Sequence, residues 1–159
     1  MLGFFKGKSK DNIIYSPCKG KVVPITEVSD PTFSEKVLGD GFAVIPSEGK
    51  IYAPADGEIS MVFDTLHAVT MTTSQGTELL IHIGLDTVTL KGEPFISHVS
   101  GGQQVKKGDL LLEADLEKIK SAGLDTITPV LICKTDDYNK INLIKEGEVS
   151  IDDEVLKIS

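Results

Sequence analysis

Short hydrophobic runs, interrupted every few residues by Gly, Pro, Asp or Ser, make up the chain beyond residue 12. Many of the apolar residues are β-branched, and runs of this length between turn-forming residues are typical of β-strands. The pattern therefore predicts an all-β protein, an antiparallel barrel or sandwich with about eight or more strands.

Two places along the chain carry signals for a helix start. Asp30 can accept hydrogen bonds from free amides, and Pro31 fits the first position of a helical turn. Asp115 can cap a second helix, in which Leu116 and Ile119 share a face. We expect about two short helices beside the strands.

One motif occurs twice. The pattern Y-x-P-x-x-G-x-[VI]-x-x-[IV] begins at Tyr15 and again at Tyr52, an offset of 37 residues. It predicts two similar β units packed about a pseudo-twofold axis, each with a proline-led entry and a glycine where the backbone turns. The alternative is that two unrelated strand entries simply look alike.

The length of 159 residues fits one domain with one core. We expect a single β domain over residues 12–159. The preceding residues, 1–11, mix phenylalanines with lysines, and we expect them to form a flexible basic and apolar tail.

The charge balance argues against nucleic acid as a partner. All 16 basic residues are lysines, against 24 acidic residues, and the net charge is -8. A chain without arginine lacks the guanidinium fork that clamps phosphates, and a negative field repels a phosphate backbone. The two cysteines have no metal-ligand spacing, no secretory signal is present, and no apolar run is long enough to span a membrane. We therefore expect a cytoplasmic protein.

His67 and His82 are the candidate chemical groups because they fall on one predicted hairpin, with strands at 67–73 and 78–83 and a turn at 74–77. In the register that places Val69 opposite His82, His67 is the diagonal neighbour of His82 on the same face. Such neighbours lie about 7–8 Å apart at Cα. A slip of one residue would place the two imidazoles on opposite faces.

In that register Val69, Met71, Leu80 and Gly84 share the face of the histidines. Apolar surroundings keep imidazole neutral, and a neutral ring nitrogen can attack phosphorus, accept a proton or bind a metal. The alternative is that both are ordinary sheet histidines without a chemical role. The third histidine, His98, is interpreted as a loop residue.

The local sequence around His82 is more specific than the spacing. LIHIGLDTV, from Leu80 to Val88, continues as LKGEPF after Thr89 and closely resembles the active-site signature of the glucose-type IIA component of the bacterial phosphoenolpyruvate-dependent sugar phosphotransferase system. Further segments resemble other blocks of that family, and these are Pro31 to Lys36, Gly39 to Phe42, Ala53 to Gly57, Thr65 to Ala68, and Val105 to Asp109.

The resemblance implies a phosphoryl relay. In that family the histidine at the place of His82 takes a phosphoryl group from the phosphocarrier protein HPr and passes it to a cysteine of a IIB domain. By the same resemblance His67 helps to hold the phosphohistidine, Thr65 orients His67 through its hydroxyl, and Asp86 lies near the phosphate. The resemblance implies neither a cofactor nor a metal.

Partners must reach His82 across a surface, so we expect a mainly apolar rim around it, with acidic residues outside for steering. Some of its members are expected to be ordinary core instead. The candidate partner-binding residues are Val37, Leu38, Phe42, Phe63, Val69, Leu80 and Asp86. The chain carries no IIB or IIC segment and so looks like a free-standing IIA protein, which would meet the membrane only through the permease and could also bind regulated target proteins.

Three alternatives remain open. The chain could be a regulatory binding module of the same fold that no longer relays phosphate. A zinc peptidase of similar architecture would need an H-x-H pair, and the corresponding place reads His82-Ile83-Gly84. A biotinyl or lipoyl carrier is suggested by Val105 to Asp109, although no lysine there is suitably flanked.

Overall fold

A computed structural model describes residues 12–159. The predicted tail, residues 1–11, lies outside the described residues. The described part contains fourteen strands, two short α-helices and three 3₁₀ turns. The strands are β1 Asn12–Tyr15, β2 Gly20–Pro24, β3 Asp40–Pro46, β4 Lys50–Tyr52, β5 Gly57–Val62, β6 Ala68–Thr73, β7 Glu78–His82, β8 Phe95–Ser97, β9 Gln104–Val105, β10 Leu110–Ala114, β11 Thr128–Ile132, β12 Ile141–Leu143, β13 Gly147–Val149 and β14 Glu154–Ile158. The helices are α1 Pro31–Ser34 and α2 Leu116–Ser121, and the 3₁₀ turns are Ile25–Glu27, Thr87–Leu90 and Thr135–Asp137.

The strands form three antiparallel sheets. The largest has eight strands in the order β13-β2-β3-β11-β7-β6-β5-β9, and the others are β1-β14-β12 and β4-β10-β8. This architecture confirms the predicted antiparallel all-β class with two short helices. Among the described residues, no helix combines the length and the hydrophobicity needed to cross a membrane.

Strand β11 lies in the middle of the large sheet and is buried at all five of its positions. Val130 and Ile132 face the main core, whereas Leu131 faces a smaller cluster that includes Phe33 of α1 and Leu85. A strand covered on both faces is expected to be continuously apolar, as this one nearly is. The smaller cluster matters here because one of its members, Phe33, contacts the ring of His82.

The repeated motif corresponds to a pseudo-twofold contact between two β units. The Tyr15 N–H donates to the Pro54 carbonyl at 2.9 Å, and the Tyr52 N–H donates to the Pro17 carbonyl at 2.7 Å. In both cases the tyrosine N–H of one repeat donates to the proline carbonyl of the other, so the two hydrogen bonds occupy equivalent motif positions. The prediction of two related units is confirmed.

The motif glycines occupy equivalent places in the two units. Gly20 of β2 pairs with Pro46, and Gly57 of β5 pairs with Thr73. A Cβ atom would lie 2.1 Å from the Ile45 carbonyl oxygen at the first and 2.2 Å from the Thr72 carbonyl oxygen at the second. Only glycine allows the neighbouring strand to approach so closely.

Both helix starts follow the predicted capping. The Asp30 side chain accepts the Thr32 N–H at 2.9 Å, and the Asp115 side chain accepts the Lys118 N–H at 3.2 Å. The first cap matters for the site because α1 carries Phe33, which is buried against the smaller cluster.

The hairpin register differs from the prediction by one residue. Ala68, rather than Val69, pairs with His82, and Val69 pairs with Ile81. The cause is the turn, in which the Thr73 N–H donates to the Thr77 carbonyl at 2.8 Å. The three residues between them end in Gly76, whose φ is +87°. Three-residue hairpin loops use a left-handed glycine in this way.

The shifted register changes the surroundings of His82. Val69 and Met71 turn into the main core, whereas Leu80 packs against the smaller cluster. The expectation that Val69 and Met71 share the face of the histidines is therefore wrong. Alternation along β7 places His82 on the side of Leu80 instead.

Candidate active site

The imidazoles of His67 and His82 are in contact. Their ring centroids lie 4.9 Å apart, and the rings are almost perpendicular, with an interplanar angle of 81°. The two rings meet despite the shifted register because His67 precedes the first residue of β6 and is not bound by its alternation. Leu66, with φ at 59°, turns the backbone immediately before it.

The hydrogen bond at Nδ1 of His82 fixes the proton of that ring. Nδ1 lies 2.7 Å from the carbonyl oxygen of Gly84. A carbonyl can only accept, so Nδ1 donates, and in neutral imidazole the lone pair then lies on Nε2. Nε2 of His82 is therefore the ring nitrogen available as a nucleophile.

The surroundings of His82 favour its neutral form. Burial lowers the pKa of His82 and outweighs three opposing influences, namely the bond to Gly84 and the carboxylates of Asp30 and Asp86. Both carboxylates lie close enough to raise the pKa of the ring by electrostatic attraction. A neutral His82 keeps its lone pair at neutral pH, which a protonated ring would lose.

His67 is held from its other side by Thr65. The Oγ1 atom of Thr65 lies 2.6 Å from Nδ1 of His67. When the hydroxyl donates to Nδ1, the proton of the neutral ring is on Nε2, where it serves as a donor. Burial, followed by the proximity of His82, lowers the pKa of His67 to about 4. The pair thus consists of a neutral nucleophile beside a neutral ring.

Two phenylalanines enclose the pair. Phe33 lies 5.1 Å from His82 between ring centroids, and Phe63 lies 5.3 Å from His67 with its ring edge-on. Phe33 was not predicted at the site, and Gly84 was expected only on the face of the histidines, not as a hydrogen-bond partner of His82. Phe33 lies within a segment that resembles a family block, and Gly84 lies within the signature, but neither residue type signals the contact by itself.

The depressed histidine pKa values predict a loss of stability in mild acid. An unfolded histidine titrates near 6.5, whereas folded His67 titrates near 4. Below pH 6.5 the unfolded chain therefore binds a proton first, so stability is greatest above that pH and falls towards pH 4. The full change in the pKa of His67 would correspond to about 3 kcal/mol, and solvent screening makes its contribution to this loss smaller. Urea unfolding at several pH values measures it.

His67→Gln should flatten this pH dependence, because the ring that resists protonation is gone. His98→Gln is the control, since His98 is half-exposed and bonded to Glu113 at 2.6 Å, away from the pair. An unchanged slope in His67→Gln would contradict the burial argument.

The predicted partner-binding residues divide into two groups. Val37 and Leu38 are 69% and 47% exposed, Asp86 is exposed, and Phe63 and Leu80 are partly buried. Phe42 and Val69 are 0% and 1% exposed and belong to the main core. These two are therefore core residues, and their assignment to a partner surface is wrong. Their side chains lie on the face of the large sheet that packs against the main core.

No group of three or more His, Cys, Asp or Glu side chains is arranged to hold a metal ion within residues 12–159.

His98, interpreted as a loop residue, directly follows β8 and bonds to Glu113 of β10 rather than to the histidine pair. Cys18 is buried, and burial raises the pKa of its thiol to about 12, which leaves it protonated.

The fold and the paired rings define a class, a β domain equipped for chemistry at a neutral imidazole. Residues 12–138 match the model of the family described as the phosphoenolpyruvate-dependent sugar phosphotransferase system, EIIA 1, and the chain belongs to this family. It is a phosphotransferase domain of a sugar phosphotransferase system.

Curated relatives are longer proteins. The chain is 46% identical over 147 residues to a β-glucoside-specific EIIBCA component of Bacillus subtilis, covering 92% of this chain and 24% of that protein. It is 52% identical over 132 residues to a glucosamine-specific EIICBA component of the same organism, covering 83% and 21%. With a glucose-specific EIICBA component of Streptococcus pneumoniae it shares 45% identity over 145 residues, covering 91% and 20%. The chain thus spans about a fifth to a quarter of these relatives.

A solved structure has the same fold as this domain. The glucose permease IIA from Mycoplasma capricolum superposes with a TM-score of 0.87 at 35% sequence identity, covering 98% of this chain and 99% of that one.

Proposed function

We propose that the chain is the IIA relay of a glucose-type sugar uptake system, formed by a single domain over residues 12–159 and acting in the cytoplasm. His82 accepts a phosphoryl group from phospho-HPr and passes it to the cysteine of a IIB domain. The observation that carries the proposal is the bond from Nδ1 of His82 to Gly84, which leaves Nε2 as the nucleophile beside His67.

Acceptance begins when the lone pair on Nε2 of His82 attacks phosphorus in line with the donor. The bond between phosphorus and the donor atom breaks, and the donor keeps the electron pair. The ring becomes positively charged as the P–N bond forms, so its Nδ1–H bond to the Gly84 carbonyl strengthens. An interaction that strengthens towards the transition state accelerates the step.

Onward transfer reverses these roles. The thiolate of the IIB cysteine attacks phosphorus, the bond to Nε2 breaks, and the electron pair returns to the ring. Because Nδ1 keeps its proton, the leaving group is neutral imidazole rather than an imidazolate. His67 serves as a donor to the phosphoryl oxygens through Nε2–H, and Thr65 holds it in that tautomer through its hydroxyl.

Charge near the site favours a transferable phosphate. Asp30 and Asp86 both act on His82, and the chain has no arginine that could pair with a bound phosphoryl group. The negative charges of these two carboxylates repel a dianionic phosphoryl group on His82, and this repulsion raises the free energy of the phosphorylated protein. Phosphorylated His82 is therefore a good donor.

Val37, Leu38, Phe63, Leu80 and Asp86 form the proposed partner surface beside the pair. Val37 and Leu38 offer exposed apolar area, and Asp86 adds negative charge that steers a basic partner face. A small apolar patch with charge at its edge suits a relay that must release each partner after transfer. The same surface could read out the phosphorylation state to regulated target proteins.

The test is incubation of the purified chain with phosphoenolpyruvate, enzyme I and HPr, followed by intact mass before and after acid treatment. The proposal requires the mass of one added phosphate, which acid removes because a P–N bond is acid-labile. An unmodified mass, with HPr itself phosphorylated, would contradict the relay and favour a regulatory binding module.

A further inference from the structure

We propose that Thr87 is a positioning residue for the relay, acting through the Gly84 carbonyl that holds the Nδ1 proton of His82. The inference rests on the proposed function of His82. Thr87 touches neither imidazole in the contacts described above, and its influence passes through the backbone of residues 83–85. It is the first residue of the 3₁₀ turn Thr87–Leu90.

The hydroxyl of Thr87 is committed to one bond inside the protein. Thr87 is fully buried, and its Oγ1 donates to the Ile83 carbonyl at 2.5 Å. The Ile83 N–H donates to the His67 carbonyl at 2.8 Å. Thr87 is thus bonded to the peptide group that immediately precedes Gly84. The same residue, Ile83, is bonded through its N–H to the backbone of His67.

Gly84 is held between two neighbours. Its φ is +78°, and a Cβ atom there would lie 2.6 Å from Cγ2 of Thr87 and 2.9 Å from the Asp125 carbonyl oxygen. The next residue, Leu85, donates its N–H to that same carbonyl at 3.0 Å. Asp125 is itself fixed, since its side chain accepts the Ile127 N–H at 2.9 Å.

These contacts determine where the Gly84 carbonyl points. The Thr87 hydroxyl fixes the peptide before Gly84, its methyl group packs against Gly84, and Asp125 fixes the peptide after it. The carbonyl is then directed at Nδ1 of His82, and rotating its peptide group would break the bond from the Leu85 N–H to the Asp125 carbonyl. If it turned away, Nδ1 would lose its acceptor and the ring proton could move to Nε2, the nitrogen that must attack.

The test compares Thr87→Val, Thr87→Ser and Thr89→Val. Valine keeps the shape of threonine but removes the hydroxyl, and serine restores it. Thr89 is the matched control because its Oγ1 also donates to a carbonyl of this segment, that of Asp86 at 2.7 Å. The first readout is the ¹⁵N chemical shifts of His82 in the unphosphorylated chain, which report which nitrogen carries the proton. The second is the rate of phosphorylation by phospho-HPr.

We expect Thr87→Val to shift the His82 proton measurably towards Nε2 and to slow phosphorylation about tenfold or more. Thr87→Ser should regain the wild-type tautomer and most of the rate, and Thr89→Val should match the wild type in both. A Thr87→Val protein with the wild-type tautomer would overturn the inference, as would a Thr89→Val protein with the same shift.

If Thr87→Val does not fold, Asp125→Ala replaces it. This variant loses the turn that fixes the Asp125 carbonyl and should move the tautomer in the same direction, whereas a wild-type tautomer would overturn the positioning role. The tautomer readout needs no phosphate. A wild-type chain that holds its proton on Nδ1 but accepts no phosphate would therefore contradict the proposed function alone.

Discussion

His82→Gln is expected to accept no phosphate from phospho-HPr, with a rate reduced more than about a thousandfold. The nitrogen of glutamine is an amide nitrogen, whose lone pair is delocalised into the carbonyl and does not attack phosphorus as an imidazole nitrogen does. The rest of the site should persist, because His82 is the last residue of β7 and is only partly buried. Phosphorylation is followed by intact mass, and folding by thermal unfolding.

His98→Gln provides the matched control for loss of a histidine. Its ring bonds to Glu113 and lies outside the pair, so this variant should be phosphorylated like the wild type. A folded His82→Gln protein that gains a phosphate at the normal rate would show that the nucleophile lies elsewhere.

His67→Gln is expected to reach one phosphate per chain but to pass it on about a hundredfold more slowly. Excess phosphoenolpyruvate can drive acceptance to completion even when that step is slowed. Onward transfer to a IIB domain has no such drive. The glutamine amide can donate, but it lacks the imidazole Nε2–H that the Thr65 hydroxyl holds in place for the phosphoryl oxygens. Rapid-quench transfer from the purified phosphorylated variant to IIB measures this rate.

Thr65→Val completes this comparison. It removes the hydroxyl 2.6 Å from Nδ1 of His67 but keeps the ring, so its defect should be smaller than that of His67→Gln. Onward transfer by His67→Gln at the wild-type rate would remove His67 from the mechanism. A Thr65→Val defect larger than that of His67→Gln would show that Thr65 does not act through that ring.

Local chemistry accounts for what the sequence could predict of the fold. Three predicted features depend only on neighbouring residues, and all three appear in the structure. They are the turn residues between strands, the helix caps at Asp30 and Asp115, and the repeat that begins at Tyr15 and Tyr52. The hairpin register depends on one further detail, the left-handed conformation of Gly76 in a three-residue loop. A four-residue turn fits the same letters, so the register could not be derived from them.

The sequence predicts that the two histidines meet as diagonal neighbours on one face of the hairpin. In the structure they meet for a different reason. Strict alternation in the observed register would separate the rings, yet they lie 4.9 Å apart because His67 stands before β6, after the left-handed Leu66. Backbone conformation outside a strand is not encoded in hydrophobic periodicity. The resemblance of the residues around His82 to a known signature therefore located the pair better than the spacing did.

Hydrophobicity alone also could not separate the partner surface from the core. Val37 and Val69 are the same residue type, but one is 69% exposed and the other 1%. Which side of the sheet a valine faces depends on register and on the path of the segment after α1. The candidate surface could be assigned only once both were known.

The central claim is that Nε2 of His82 carries the phosphoryl group while Nδ1 keeps its proton. NMR of the phosphorylated, ¹⁵N-histidine-labelled chain tests it directly, through the coupling between phosphorus and a ring nitrogen. We expect coupling to Nε2 of His82 and a protonated Nδ1 bonded to Gly84. Phosphorus on Nδ1 of His82, or on either nitrogen of His67, would contradict it.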